Sequence, residues 1–234
     1  MARLIPFTPG EYFHIYNRGT NKMEIFLDFS DYDRFQKLLY TANSKETSKY
    51  SGIKSQDILP VWSVERGETL VDIGAYTTMP NHFHLLIRSK NEKDTALFLQ
   101  RILGSYSKYF NVKNNRTGTL FQGRSKAKHI VGDKYLKYNY TYIHLNIVKL
   151  IQNNWKEVGL KDIERTKEYL KNYKYSSFLD YSGANRQEGK ILNKEAFPKY
   201  FEASESFEKE IKEFLNYGNE INSIPGMERM ENNI

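Results

Sequence analysis

Residues 82–88 read His-Phe-His-Leu-Leu-Ile-Arg, and their alternation limits the fold more than any other stretch of the chain. Successive side chains of an extended strand face opposite ways. His82, His84, Leu86 and Arg88 therefore share one face, and Phe83, Leu85 and Ile87 share the other. The apolar triplet demands a core on its side. Opposite it, two imidazoles stand close enough to hold one divalent ion, with a third ligand drawn from elsewhere. Two partly buried histidines satisfied by hydrogen bonds are the plainer explanation while the pair stands alone.

The surrounding elements predict an α+β domain. Tyr12-Phe13-His14-Ile15-Tyr16 is aromatic and β-branched and reads as a first strand, followed by the polar turn Asn17-Arg18-Gly19. Ser30 or Asp31 is expected to cap a helix carrying Tyr32, Phe35, Leu38, Leu39 and Tyr40 at helical spacing. Residues 58–64 and 71–78 read as strands. Pro80-Asn81 interrupts the second, and 82–88 continues it in extended form. Helices are expected over 95–110, over 134–150 behind Gly132-Asp133, and near 162–172; residues 119–121 and 127–130 are candidate short strands. The order predicts an antiparallel sheet with helices packed on one face. Beyond Gly183 the composition shifts, so we read 1–183 as one domain. Residues 184–234 read as an acidic extension with an amphipathic helix carrying Phe207, Ile211, Phe214 and Leu215.

Residues 135–146 offer several phenols: Tyr135, Tyr138, Tyr140 and Tyr142. Phenol is a weak nucleophile at neutral pH, its reference pKa being ~10. A metal that polarises a phosphate and positions it makes such a nucleophile competent. A helix serving that chemistry presents tyrosine and ligand one turn apart. Tyr142 with Asn146 fits, and so does Tyr140 with His144. Leu136, Tyr140, Ile143, Ile147 and Leu150 form an apolar stripe, which assigns Tyr140 to the core. Tyr142 and Asn146 each precede a stripe member and so lie roughly 100° around the helix.

Charge points to an anionic partner. The formal net charge is +7, and it is uneven. Between Phe98 and Leu150, Arg101, Lys108, Lys113, Arg116, Arg124, Lys126, Lys128, Lys134, Lys137 and Lys149 face the single acid Asp133. Aromatic residues interleave with these cations, a pattern suited to the phosphates and unstacked bases of single-stranded nucleic acid. A solvated helix face accounts for the charge equally well. No cysteine is present, which excludes disulfides, thiolate zinc sites and cysteine nucleophiles. No run of eighteen apolar residues and no signal-like N-terminus occur, so a cytoplasmic, nucleoid-associated protein without a membrane partner is expected.

Several of these segments, taken in order, resemble the single-tyrosine HUH transposases of small insertion sequences, and most closely their REP-associated tyrosine branch. Residues 12–19 look like its opening strand and turn, and Tyr76-Thr-Thr-Met-Pro-Asn-His-Phe-His-Leu-Leu-Ile87 like its metal-binding strand. Gly118-Thr-Leu-Phe-Gln122-Gly-Arg124 is similar to the segment before the catalytic helix, Tyr142-Ile-His-Leu-Asn146 to the nucleophile helix, and 173–178 to the closing motif. The resemblance implies a sheet fold related to RNA-recognition and Rep domains, with the histidines on a central strand. It implies Mg²⁺ or Mn²⁺ held by His82, His84 and the side-chain oxygen of Asn146. It also implies attack by Tyr142 on single-stranded DNA, leaving a 5′-phosphotyrosine and a free 3′ hydroxyl. Hairpin-bearing single-stranded DNA is then the expected partner, bound by a monomer or homodimer. Arg116, Gln122, Arg124, Lys126 and Lys128 are expected along the DNA, with Asn17 and Arg18 reading base edges of a guide sequence. Two departures stand: the acidic extension beyond Gly183 has no counterpart in those relatives, and the residue after Asn146 differs. Relatives carry proline after the asparagine, whereas Ile147 follows Asn146 here, so the helix is expected to run on. A rolling-circle initiator or relaxase, a hairpin-binding protein that has lost cleavage, and a metallohydrolase using bound water are the competing readings.

Overall fold

The structure is a computed structural model describing residues 6–46 and 61–200, together with Lys209 and Ile211. Strand β1 (Tyr12–Arg18) leads to helix α1 (Phe29–Thr41), then to β2 (Val71–Met79) and β3 (His82–Ser89). Helix α2 (Glu92–Lys113) and β4 (Lys126–Ile130) complete a βαββαβ unit. The four strands form one antiparallel sheet in the order β2-β3-β1-β4, so the histidine strand is central. Pro80-Asn81 is the turn of the β2–β3 hairpin rather than an interruption of one strand. Proline has no N–H for the ladder, and its carbonyl instead accepts from the backbone of Ile25 and Phe26.

The alternation of β3 is realised on both sides. Phe83, Leu85 and Ile87 are fully buried with Phe13, Ile15 and Ile73 beneath α1 and α2, each contributing about 1.5–3 kcal/mol by leaving water. The opposite face, expected to be bare of helices, is covered by helix α3 (Asp133–Leu145). Two apolar layers exist because α3 carries its own stripe: Leu136, Tyr140 and Ile143 pack on Ala75, Met79 and Leu86. Leu150 falls outside that stripe and is 40% exposed. A Cβ at Gly74 would stand 2.7 Å from the Phe197 ring and 2.8 Å from the Tyr140 hydroxyl, so only glycine lets these aromatics close on the bulge in β2.

Other elements differ from expectation for local reasons. Asp28, not Ser30 or Asp31, caps α1 by accepting from the amides of both. Asp31 lies inside the first turn and accepts from Leu27 N and Lys113 Nζ. Val61–Ser63 is a 3-10 turn whose Trp62 packs on Tyr40; 58–60 lie outside the described residues. Residues 119–121 form no strand, and Phe121 makes a lone bridge to Gly19. Helix α3 ends at Leu145, and Asn146–Leu150 tightens into a 3-10 helix instead of running on. Leu145, Asn146, Ile147 and Val148 are all buried, so this segment is covered all round rather than amphipathic.

The chain continues through α4 (Trp155–Val158), α5 (Ile163–Asn172) and α6 (Phe178–Tyr181). Beyond Gly183 it still packs on the domain. Arg186 binds Asp180, Tyr76 and two backbone carbonyls, Asn193 pairs with Asp72, and Ile191 and Phe197 enter the two cores. Of the expected C-terminal helix, Lys209 and Ile211 are helical and Ile211 is buried; its other residues lie outside the described ones. Among the described residues, no helix is long and apolar enough to cross a membrane.

Candidate active site

Strand register gathers the polar groups. On the α3 face of the sheet, Tyr12, His14, Tyr16 and Arg18 of β1 lie beside Arg88, Leu86, His84 and His82 of β3. Lys128 and Lys126 of β4 lie beside His14 and Tyr16. The His82 and His84 rings are 5.1 Å apart between centroids and nearly perpendicular. His82 sits half-buried at the strand start, its Nδ1 2.5 Å from Asn81 Oδ1. His84 is fully buried and engaged at both nitrogens: Nδ1 lies 2.8 Å from His14 Nε2, and Nε2 lies 2.8 Å from the Asn146 side-chain amide. Turning that amide over presents its oxygen.

Burial keeps these imidazoles neutral. It lowers His14 to about 3, with Lys128 adding to the effect, and His82 to about 4, with Lys149 and Arg18 adding. His84 is held well below the usual range by burial first, then by its histidine neighbours, Lys149 and Lys156. Neutral imidazole is the form that binds a metal. Among the described residues, no group of three or more His, Cys, Asp or Glu could hold an ion. The Asn146 side-chain amide is in place to supply a third, neutral oxygen ligand. Two imidazole nitrogens and an amide oxygen fit a divalent ion that keeps open positions.

Tyr142 stands one helical turn before Asn146 and edges onto the His14 and His84 rings at 5.8 and 6.0 Å. It stacks on Tyr138, and Lys156 Nζ lies 4.4 Å above its ring. The ring is only 2% exposed, so the segment bearing Lys156 covers it. Tyr140 and His144 lead elsewhere. Tyr140 packs on Tyr181 and Phe197, and His144 Nε2 bonds Ser177 Oγ at 2.7 Å, both facing the C-terminal segment.

The matched family description is "Transposase IS200 like", over residues 62–146. That span holds His82, His84 and Tyr142 and ends on Asn146. Residues 62–146 are thus similar to the IS200-like transposases. No curated protein matches the chain. Among solved structures, a REP-associated tyrosine transposase bound to a REP hairpin aligns over 80% of this chain and 90% of that one, at 13% identity with a TM-score of 0.48.

The residues expected to meet DNA separate around this site. Arg18 is half-exposed and hydrogen-bonds exposed Gln122 across the mouth of the histidine face. Lys126 projects over the Tyr16 ring, Lys128 flanks His14, and Arg124 is exposed on the adjoining loop. Asn17 differs: it is 5% exposed, with one amide end on Gly123 O and the other on Arg18 N, so it fastens the loop rather than facing solvent. Arg116 spends its guanidinium on Asn111 and Thr119 O, holding the turn after α2. His14, Tyr16 and Lys156 belong to the site and were not singled out from the sequence. His14 and Tyr16 were signalled by the same two-residue alternation on β1 that exposed the pair on β3. Nothing in the local pattern marked Lys156.

Proposed function

We propose that this chain is an IS200-like transposase, a metal-dependent single-stranded DNA endonuclease that cuts and rejoins strands through a 5′-phosphotyrosine on Tyr142. The single observation that carries the reading is the convergence of Tyr142 and Asn146, from one helix, on the neutral His82–His84 pair of the central strand. Tyr142 forms its bond to phosphorus, and the leaving 3′ oxygen returns later, or one from another strand replaces it, to release the tyrosine. Mg²⁺ or Mn²⁺ held by His82, His84 and Asn146 Oδ1 would polarise the scissile phosphate. Lys128 acts on His14, Arg18 and Lys149 on His82, and Lys149 and Lys156 on His84, and with bound DNA these cations would offset phosphate charge. Exposed Arg124, Gln122 and Lys126 extend this track along the strand. A hairpin-bearing substrate is proposed from the motif resemblance.

The family match favours a transposase over a rolling-circle initiator. One observation favours a second reading, a hairpin-binding protein without cleavage: the Tyr142 phenol is covered. Labelled hairpin-bearing oligonucleotides from DNA flanking the gene, incubated with Mn²⁺ and run on a denaturing gel, separate these readings. Cleavage through Tyr142 gives a covalent protein–DNA band that disappears with EDTA and in Tyr142→Phe. Nicking that survives Tyr142→Phe without an adduct overturns the tyrosine mechanism in favour of metal-bound water. Tight binding with no cleavage across metals and flanking sequences supports the binding protein.

A further inference from the structure

We infer that His14 is a positioning residue: it fixes the tautomer of His84 so that Nε2 is left free to take a metal. The inference rests on the proposed metal centre. His14 is fully buried in the middle of a strand, where an aliphatic side chain would pack without the cost of desolvating an imidazole. Its ring stacks on that of His84 at 5.0 Å between centroids and 23° between planes, and the 2.8 Å contact joins His14 Nε2 to His84 Nδ1.

A neutral imidazole carries one proton, so this contact has two states. In one, His14 Nε2–H donates to His84 Nδ1. The His84 proton then sits on Nε2, faces the Asn146 amide and blocks coordination. In the other, His84 Nδ1–H donates to His14 Nε2, and His84 Nε2 presents a lone pair toward Asn146. The His14 proton is then on Nδ1, which is buried and, among the described residues, has no hydrogen-bond partner. The first state costs less without an ion, and coordination at His84 Nε2 requires the second. Removing the acceptor at position 14 would leave His84 Nδ1–H buried and unpaired in the metal-bound state. The affinity for metal would fall while the ligands themselves stay in place. Outer partners that orient a ligating histidine act in this way in known metal sites.

Binding of Mn²⁺ alone to the full chain, followed by electron paramagnetic resonance, separates the claims. His84→Ala should abolish tight binding; if it binds as the wild type does, the metal centre itself is wrong. His14→Phe should weaken Mn²⁺ about 10–100-fold, and His14→Gln, whose amide oxygen can accept, should recover most of that loss. Wild-type affinity in His14→Phe, with His84→Ala inactive in binding, overturns the inference and leaves the metal centre standing. Nitrogen-15 chemical shifts of the wild-type histidines with saturating Mg²⁺ give a readout that needs no variant. His84 protonated at Nδ1 is expected, and protonation at Nε2 refutes the positioning role.

Discussion

Acidification should destabilise this protein in a range where its carboxylates are still ionised. His14, His84 and His144 are fully buried, and His82 lies at the rim of the same site. His14 and His144 are lowered to about 3 and His82 to about 4, in every case by burial first, and His84 lies well below its usual value. Each unfolded imidazole titrates near 6.5, so between that value and the folded one the unfolded chain binds more protons. The stability these groups contribute is complete above pH 6.5 and is lost as pH falls through the window down to about 3–4. At pH 5.5 an unfolded histidine is about tenfold protonated, which removes about 1.4 kcal/mol per independent site. Because all four imidazoles stay neutral in the folded chain at that pH, the loss from pH 7.5 to 5.5 is about 4–6 kcal/mol, the lower figure allowing for the partly exposed His82. That is a large share of a typical total of about 5–15 kcal/mol. With a urea slope of about 3 kcal/mol/M, the midpoint should drop by about 1.5–2 M. Fluorescence of the buried Trp155 reports the transition. His144→Gln should lessen the drop by about a quarter to a third. A midpoint unchanged between pH 7.5 and 5.5 refutes the reasoning.

Arg186→Ala leaves the carboxylate of Asp180, 3% exposed on its side chain, without its cation and removes a hydrogen bond to Tyr76. The expected cost is about 3–5 kcal/mol, read as a fall in urea midpoint with little change in DNA affinity at saturating folded protein; a cost below about 1 kcal/mol contradicts the packing described for this segment. Lys128→Ala should weaken single-stranded DNA binding uniformly across sequences and lower the salt slope by about one, measured by fluorescence anisotropy at several salt concentrations. An unchanged slope removes Lys128 from the phosphate track.

The central strand was legible because its alternation has a period that nothing but an extended conformation satisfies, and the same rule correctly separated Phe83 from His84. The second helical layer was not legible, since alternation shows that a face is polar without showing what covers it. His82 and His84 imply an exposed site, yet α3 buries His84 through a stripe whose partners, Ala75 and Met79, lie about sixty residues away in sequence. The 3-10 ending at Asn146 followed from tertiary packing of Ile147 and Val148, which outweighs the absence of a proline. Arg116 and Asn17 looked like DNA contacts by type and place. Asn17 is held by Gly123 O and the Arg18 amide, and Arg116 by Thr119 O and Asn111 near the end of α2, partners that charge patterning does not reveal. Residues 184–234 read as an extension because the composition shifts at Gly183, but Arg186 and Asn193 spend their polarity on the buried Tyr76 and Asp72.

The central claim is that Tyr142 takes the phosphate, and the most direct measurement is to digest the covalent protein–DNA adduct with nuclease and protease and sequence the modified peptide by mass spectrometry. The account predicts a nucleotide linked through its 5′ phosphate to Tyr142, with neighbouring Tyr138 and Tyr140 unmodified. A nucleotide on either of those tyrosines, or one attached through a 3′ phosphate, would contradict it.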